Sequence, residues 1–180
     1  MRIAEILFYD TNKAKLVVEM SGPRTYSTAT LPQVPRALFE VLPDLRHHAC
    51  YNDAGLSFEE ECRQTEIPHL LEHVIIELQA RVSGRARLAG ETQWNWRVDP
   101  RGRFHVHIEY ENEQLALGAI RLGARLVEAA ICDRLAKVDL PRELERLRAV
   151  AEIGASLRGR VDERYPPRLL TLAAARAGGE

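Results

Sequence analysis

The chain has 180 residues, 46% of them hydrophobic and 28% charged, with a formal net charge of −1 at neutral pH. That mix suits one well-packed soluble domain with room for a helical extension. It gives no electrostatic case for nucleic acid or an anionic membrane as partner, and no apolar run approaches the ~20 residues of a bilayer span.

The N-terminus runs straight into Arg2 and Glu5 without a signal pattern. Residues 2–9 predict a strand, 10–13 a turn, and 14–20 a second strand with Leu16, Val18 and Met20 on one face; together they read as a hairpin. Residues 34–42 predict a short helix stopped by Pro43, and 44–61 a loop with its turn at Asn52-Asp-Ala-Gly55. A central helix follows, with Thr65 as N-cap, Pro68 in the first turn and Gly84 as the stop. Residues 92–98 alternate, with Trp94, Trp96 and Val98 on one face, and 104–110 alternate again after a turn at 99–102, giving a second hairpin. Residues 113–137 predict a long helix whose Gly118 and Gly123 permit close approach of another element. Residues 140–157 predict a further amphipathic helix opened by Pro141. Arg164-Tyr-Pro-Pro167 interrupts it, and the Ala/Gly-rich tail is expected to be mobile. The order β-β-α-α-β-β-α-α implies an α+β fold, a mainly antiparallel sheet of two hairpins with helices packed on one face. The expected division is a domain over 1–138 and a helical extension over 139–180.

The chemistry concentrates in the central helix. His69-x-x-Glu72-His73 places three side chains on one face, because positions i, i+3 and i+4 align on a helix. Two imidazoles one turn apart can grip a single ion, and the carboxylate beside them can reach a water held there. This is the inverted zinc-peptidase pattern H-x-x-E-H. The alternative is a pair of ordinary hydrogen-bonded helix histidines. Ile67, Leu71, Val74, Ile75, Leu78 and Val82 form an apolar stripe roughly opposite, while Ile76 and Ala80 lie among the histidines. A helix apolar on both sides is covered on both sides, so the cluster is expected to line a sheltered cleft. Zinc needs a third protein ligand. Glu77 lies two turns from His69, which suits it to bracing a ligand rather than being one. His105, His107 and Glu109 share a strand face, but the neighbouring strands are polar on that face too, so it reads as solvated.

Cys50, Cys62 and Cys132 are sparse and odd in number, without C-x-x-C, which fits a reducing, cytoplasmic setting. No phosphate-loop pattern occurs, so no nucleotide cofactor is expected.

Three blocks carry a resemblance: Leu42-Pro-Asp-Leu-Arg-His-His48-Ala-Cys50, His69-Leu-Leu-Glu72-His73-Val-Ile-Ile-Glu77-Leu-Gln79 and Val106-His-Ile-Glu109-Tyr-Glu111. In this order they resemble the N-terminal domain of cyanophycin synthetase over roughly residues 36–135. That family joins aspartate and arginine into a polymer with an ATP-grasp and a Mur-ligase-like domain, neither of which occurs in these residues. For the N-terminal domain the resemblance implies polymer binding and, in some members, a metallopeptidase-like site that cuts polymer into primers. Carried over by position, His69 and His73 are metal ligands and Glu72 the base. His48 is the first choice to complete the coordination of zinc or a similar divalent metal. Cys50 is the second choice, otherwise placed beside the site with Glu77. The family's glycine-rich segment is replaced by Ala54-Gly-Leu-Ser-Phe58, a departure that bears on polymer specificity. The implied partners are a cyanophycin-like polymer or peptide and a separately encoded ligase. The competing expectations are a metal-dependent hydrolase of peptide or isopeptide bonds and a non-catalytic module that binds polymer or synthetase.

Overall fold

The computed structural model describes all residues except 11, 53, 85–87 and 165–180. Its strands are β1 (Arg2–Tyr9), β2 (Lys13–Glu19), β3 (Gly90–Gln93) and β4 (Arg103–Glu109). Its helices are α1 (Gln33–Val41), α2 (Phe58–Glu61), α3 (Ile67–Ser83), α4 (Glu113–Ile131) and α5 (Leu140–Arg164). The strands form one antiparallel sheet in the order β1-β2-β4-β3, so two sequential hairpins meet along β2 and β4.

Alternation sets the layers. Ala14, Leu16 and Val18 pair in register with Ile108, Val106 and Phe104, and all six are at most 2% exposed. Their neighbours Lys15, Val17, His105 and His107 turn to the other, half-exposed face. Helices cover the apolar face alone, and α3 lies at the centre of that layer, contacting α4, α5, β3 and β4. Gly123 makes the α3–α4 seam close: a Cβ there would stand 3.1 Å from Ile75 Cγ1, with Leu71 and Val74 at 3.5 Å. Gly118 plays the same part for α5, since its Cβ would meet Leu147 at 2.5 Å. Both glycines therefore serve the close approach that their positions predict.

Four expectations are corrected. The strand expected over 92–98 ends at Gln93, and the chain turns instead, with the Asn95 carbonyl accepting from Val98 N at 3.0 Å and Asp99 N at 2.8 Å. Trp96 still packs inward against Tyr26 and Phe104, but Val98 is 82% exposed. The loop expected over 44–61 holds a 3₁₀ turn at Pro43–His47 and the short helix α2. The N-cap of α3 is Glu66, without a side-chain cap bond, and Thr65 turns its hydroxyl to His69. The helix expected to run to residue 137 stops at Ile131, because Asp133 takes a left-handed backbone (φ 51°) before a 3₁₀ turn at Leu135–Lys137.

Gly84 ends α3 in the left-handed conformation as expected, at φ 71°. Helix α5 extends beyond residue 157, and its Leu140, Leu144 and Leu147 join the same buried cluster as the sheet. Of the interruption expected over Arg164-Tyr-Pro-Pro167, Arg164 belongs to α5, and the rest lies with the expected mobile tail outside the described residues. No helix among the described residues is long and apolar enough to cross a membrane.

Candidate metal centre

Helix α3 is buried nearly all round, including Glu72 (3% exposed), His73 (4%) and Glu77 (4%). The apolar stripe faces α4 and the core, while His69 and His73 face the segment between α1 and α2. That segment is anchored by Leu45 in the 3₁₀ turn and by Phe58 in α2, both fully buried. The anchor at α2 is local: the Ser57 hydroxyl accepts from Glu60 N and the Glu60 carboxylate accepts from Ser57 N, a capping box. Asn52 closes the stretch between, donating to Leu56 O and accepting from Leu56 N, both at 2.8 Å. His48 and Cys50 therefore arrive at α3 from a pinned loop.

His69 Nε2 stands 3.2 Å from His73 Nε2 and 3.5 Å from Cys50 Sγ. One donor atom from each of Cys50, His69 and His73 lies within 4.8 Å of the others. On a tetrahedral zinc, with bonds of about 2.0–2.1 Å to nitrogen and 2.3 Å to sulfur, two nitrogens stand about 3.3 Å apart and nitrogen and sulfur about 3.6 Å. The two separations from His69 Nε2 match the edges of such a tetrahedron. Burial lowers the His69 pKa and, aided by the neighbouring His69 and His48, pushes His73 down to about 2, so both rings are neutral and able to ligate. Burial pushes the Cys50 thiol up, and a bound cation acts in the opposite sense by favouring the thiolate.

The rings are braced from several sides. The Thr65 hydroxyl meets His69 Nδ1 at 2.6 Å. Phe58 stacks on His73 at 3.7 Å between centroids and meets His69 edge-on at 5.9 Å. His48 approaches the other nitrogen of His73, Nδ1 to Nδ1 at 3.2 Å, and gives its Nε2 to Glu77 Oε2 at 2.9 Å.

A model of the cyanophycin synthase-like N-terminal domain family matches residues 15–132, well over half of the chain. The chain belongs to this family. A search of curated proteins finds no match. The matched segment begins inside β2 and ends just past α4; outside it, β1 pairs with β2, and Leu140, Leu144 and Leu147 of α5 join the same buried cluster.

Within the domain the expected site residues separate into three groups. His69 and His73 converge as the spacing predicts. Cys50, the second choice, lies with them, while His48, the first choice, sits against the far nitrogen of His73. Glu77, expected beside the site, meets His48 Nε2 at 2.9 Å. The carboxylate of Glu72 turns toward β3, where Thr92 Oγ1 donates to its Oε2 at 2.6 Å. Gly90 lies directly beneath, since a Cβ there would meet Glu72 Oε1 at 2.5 Å. Burial, opposed by the Thr92 hydrogen bond, raises the Glu72 pKa to about 7. The strand histidines take no part: His105 Nε2 pairs with Asp99 at 2.9 Å and His107 Nδ1 with the Tyr9 hydroxyl at 2.9 Å.

Sequence reasoning missed Phe58, Gly90 and Thr92, and gave Thr65 the wrong task. The S-x-x-E signature at Ser57–Glu60 announces α2 and could have placed Phe58 beside α3. Nothing local marks Gly90 or Thr92, whose role comes from β3 lying over Glu72.

Proposed function

We propose that this domain is a metal-dependent hydrolase of peptide or isopeptide bonds, with a cyanophycin-like polymer of aspartate and arginine as the substrate class that the family suggests. The observation that carries the reading is the convergence of Cys50, His69 and His73, with donor atoms within 4.8 Å of one another and the two separations from His69 Nε2 at the edge lengths of a tetrahedral zinc site. A mixed nitrogen and sulfur donor set suits zinc among common divalent ions. When bound, such an ion supplies Lewis-acid polarisation of a carbonyl. Three protein ligands leave one tetrahedral position for substrate, and the half-exposed Cys50 and His69 give that position a route to solvent.

In this reading Glu72 is the base. It takes a proton from the water that attacks the carbonyl carbon and passes it to the nitrogen as the C–N bond breaks, so the products are an acid and an amine. Thr92 and Gly90 set the carboxylate's position before substrate arrives.

One observation favours the second reading, a non-catalytic module that binds polymer or a separately encoded ligase: Glu72 already has a structural partner in Thr92. The deciding experiment incubates zinc-loaded protein with cyanophycin and with ordinary peptides and counts new amino termini. The hydrolase predicts that Glu72→Gln keeps its zinc and its fold, yet releases products at least about a hundredfold more slowly. No cleavage by the unmodified protein, with polymer still bound, would leave only the binding module.

A further inference from the structure

Strand β3 closes one end of the sheet, and among the described residues only β4 pairs with it. In an antiparallel ladder the residues of a strand point their main-chain groups alternately to one side and the other. Glu109 N donates to Ala89 O at 2.8 Å, which sets the phase. Glu91 and Gln93 therefore turn their N–H and C=O toward β4, and Gly90 and Thr92 turn theirs to the free edge. Gly90 is exposed, and without a side chain its exposed surface is main chain.

The same two residues are the ones that touch Glu72. Thr92 Oγ1 donates to its carboxylate at 2.6 Å, and a Cβ on Gly90 would collide with it. Helix α3 and β3 run in opposite directions. Gln79 Nε2 donates to Glu109 O at 3.2 Å, level with Ala89, while Glu72, two turns earlier on the helix, lies against Gly90 and Thr92. His69, a further turn back on the same side of the helix, lies toward the Gln93 end of the strand. A chain paired with the free edge would pass Glu72 and run on toward His69. Carboxylates flank that path. The negative charge of Glu61 reaches both Cys50 and Glu66, and that of Glu91 reaches Glu72. Among the described residues neither Glu61 nor Glu66 has an ion-pair partner.

We propose that the free edge of β3 takes an extended cationic peptide as a fifth strand, which lays its main chain alongside Glu72 and His69. Main-chain hydrogen bonds supply the affinity of such an added strand, and alternate side chains supply its selectivity. The carboxylates of Glu61, Glu66 and Glu91 favour arginine or lysine at those side chains. That the chain held here is also the chain cut rests on the hydrolase reading above; its place on the edge does not.

Amide hydrogen exchange, resolved by residue with NMR, tests the pairing. The full-length protein is stripped of metal, so that bound peptide stays intact, and saturated with a ten-residue peptide of alternating arginine and serine. Exchange at Gly90 N–H and Thr92 N–H should slow by at least about tenfold, while Glu91 and Gln93, already bonded to β4, change little. Two further peptides keep the charge but carry N-methyl groups at alternate residues, one in each phase. The phase that faces β3 loses its donors and should bind at least about tenfold more weakly than the other.

A pair of variants asks the same of the protein. Thr92→Pro removes an edge N–H without touching the ladder to β4, and Thr92→Val keeps that N–H while also lacking the hydroxyl. The arginine peptide should bind Thr92→Pro at least about tenfold more weakly than Thr92→Val. Unchanged exchange at Gly90 and Thr92 in the peptide complex overturns the proposal, as does equal binding of the two N-methylated phases or no binding of the arginine peptide. A glutamate–serine peptide bound as tightly as the arginine one overturns the choice of a cationic chain. Failure of the hydrolase reading looks different: the edge amides are protected, which supports the added strand, yet the zinc-loaded protein releases no new amino termini from the peptide it binds.

Discussion

Two histidine pairs invite comparison. His69 and His73 sit one turn apart on α3, and His105 and His107 sit two residues apart on β4, so regular structure gives each pair a common face. On α3 the ring nitrogens face one another at 3.2 Å. On β4 each ring leaves for its own partner, Asp99 or Tyr9. The difference lies in what covers the face. The β4 pair looks out from the half-exposed side of the sheet, where single polar partners satisfy each ring. The α3 pair is closed over by a loop that brings Phe58 beneath the rings and Cys50 beside them. A shared face aims two side chains; burial and a third element make them converge.

That contrast can be broken experimentally. The largest expected effect is His73→Ala, which should reduce zinc from about one equivalent to almost none in protein purified without an affinity tag. Its loss in affinity should exceed the 10- to 100-fold typical of supporting residues. Full retention of zinc would place the helix pair in the same class as the strand pair. Next comes the order of the loop residues: in the proposed site Cys50→Ser should weaken zinc binding more than His48→Ala, because Cys50 Sγ lies beside His69 Nε2 whereas His48 stands against the far nitrogen of His73. The reverse order, read by competition with a chelator, would return the third position to His48. A smaller effect is expected at Gly90→Ala. The added Cβ displaces the buried Glu72 carboxylate, at a cost of about 1–3 kcal/mol from overpacking. Zinc should remain bound while hydrolysis falls, and unchanged activity would detach Glu72 from the chemistry. The smallest effects belong to His105→Ala and His107→Ala, which should leave zinc affinity unaltered and shift stability by no more than about 1 kcal/mol in denaturant unfolding.

Much of this molecule was legible from periodicity. The first hairpin, β4, α3 with its glycine stop, and the close-packing glycines of α4 all follow from side-chain spacing and the special backbone of glycine. The misreadings have local physical causes. Alternation at Trp94, Trp96 and Val98 mimics a strand, but Asn95 folds the backbone into a turn and Trp96 fills its space by aromatic packing against Tyr26 and Phe104. At the candidate centre the helix spacing placed His69 and His73 side by side, because both lie on one element. The third donor could not be ranked the same way. His48 and Cys50 are two residues apart on a loop, and only its path decides which of them meets Nε2 and which meets Nδ1. Glu72 shows the same limit: its spacing is helical, but its hydrogen-bond partner belongs to a strand twenty residues away.

The contact at Gly123 bears on whether the five-residue motif is portable. Helix α3 carries the histidines on one side and meets α4 closely on the other, where a methyl group at Gly123 would touch Leu71 and Val74 and push Ile75 aside by a few tenths of an ångström. Displacing α3 at that seam carries His69 and His73 with it, away from a Cys50 that is pinned to a different element. Ligand constellations tolerate about 0.5 Å of such drift. Gly123 touches none of the donors, yet it belongs to the tolerance of the centre as much as Phe58 does. Grafting His69-x-x-Glu72-His73 onto another helix would therefore transfer the letters without the geometry; the smallest transferable unit is α3 together with the α4 seam and the loop that delivers Cys50.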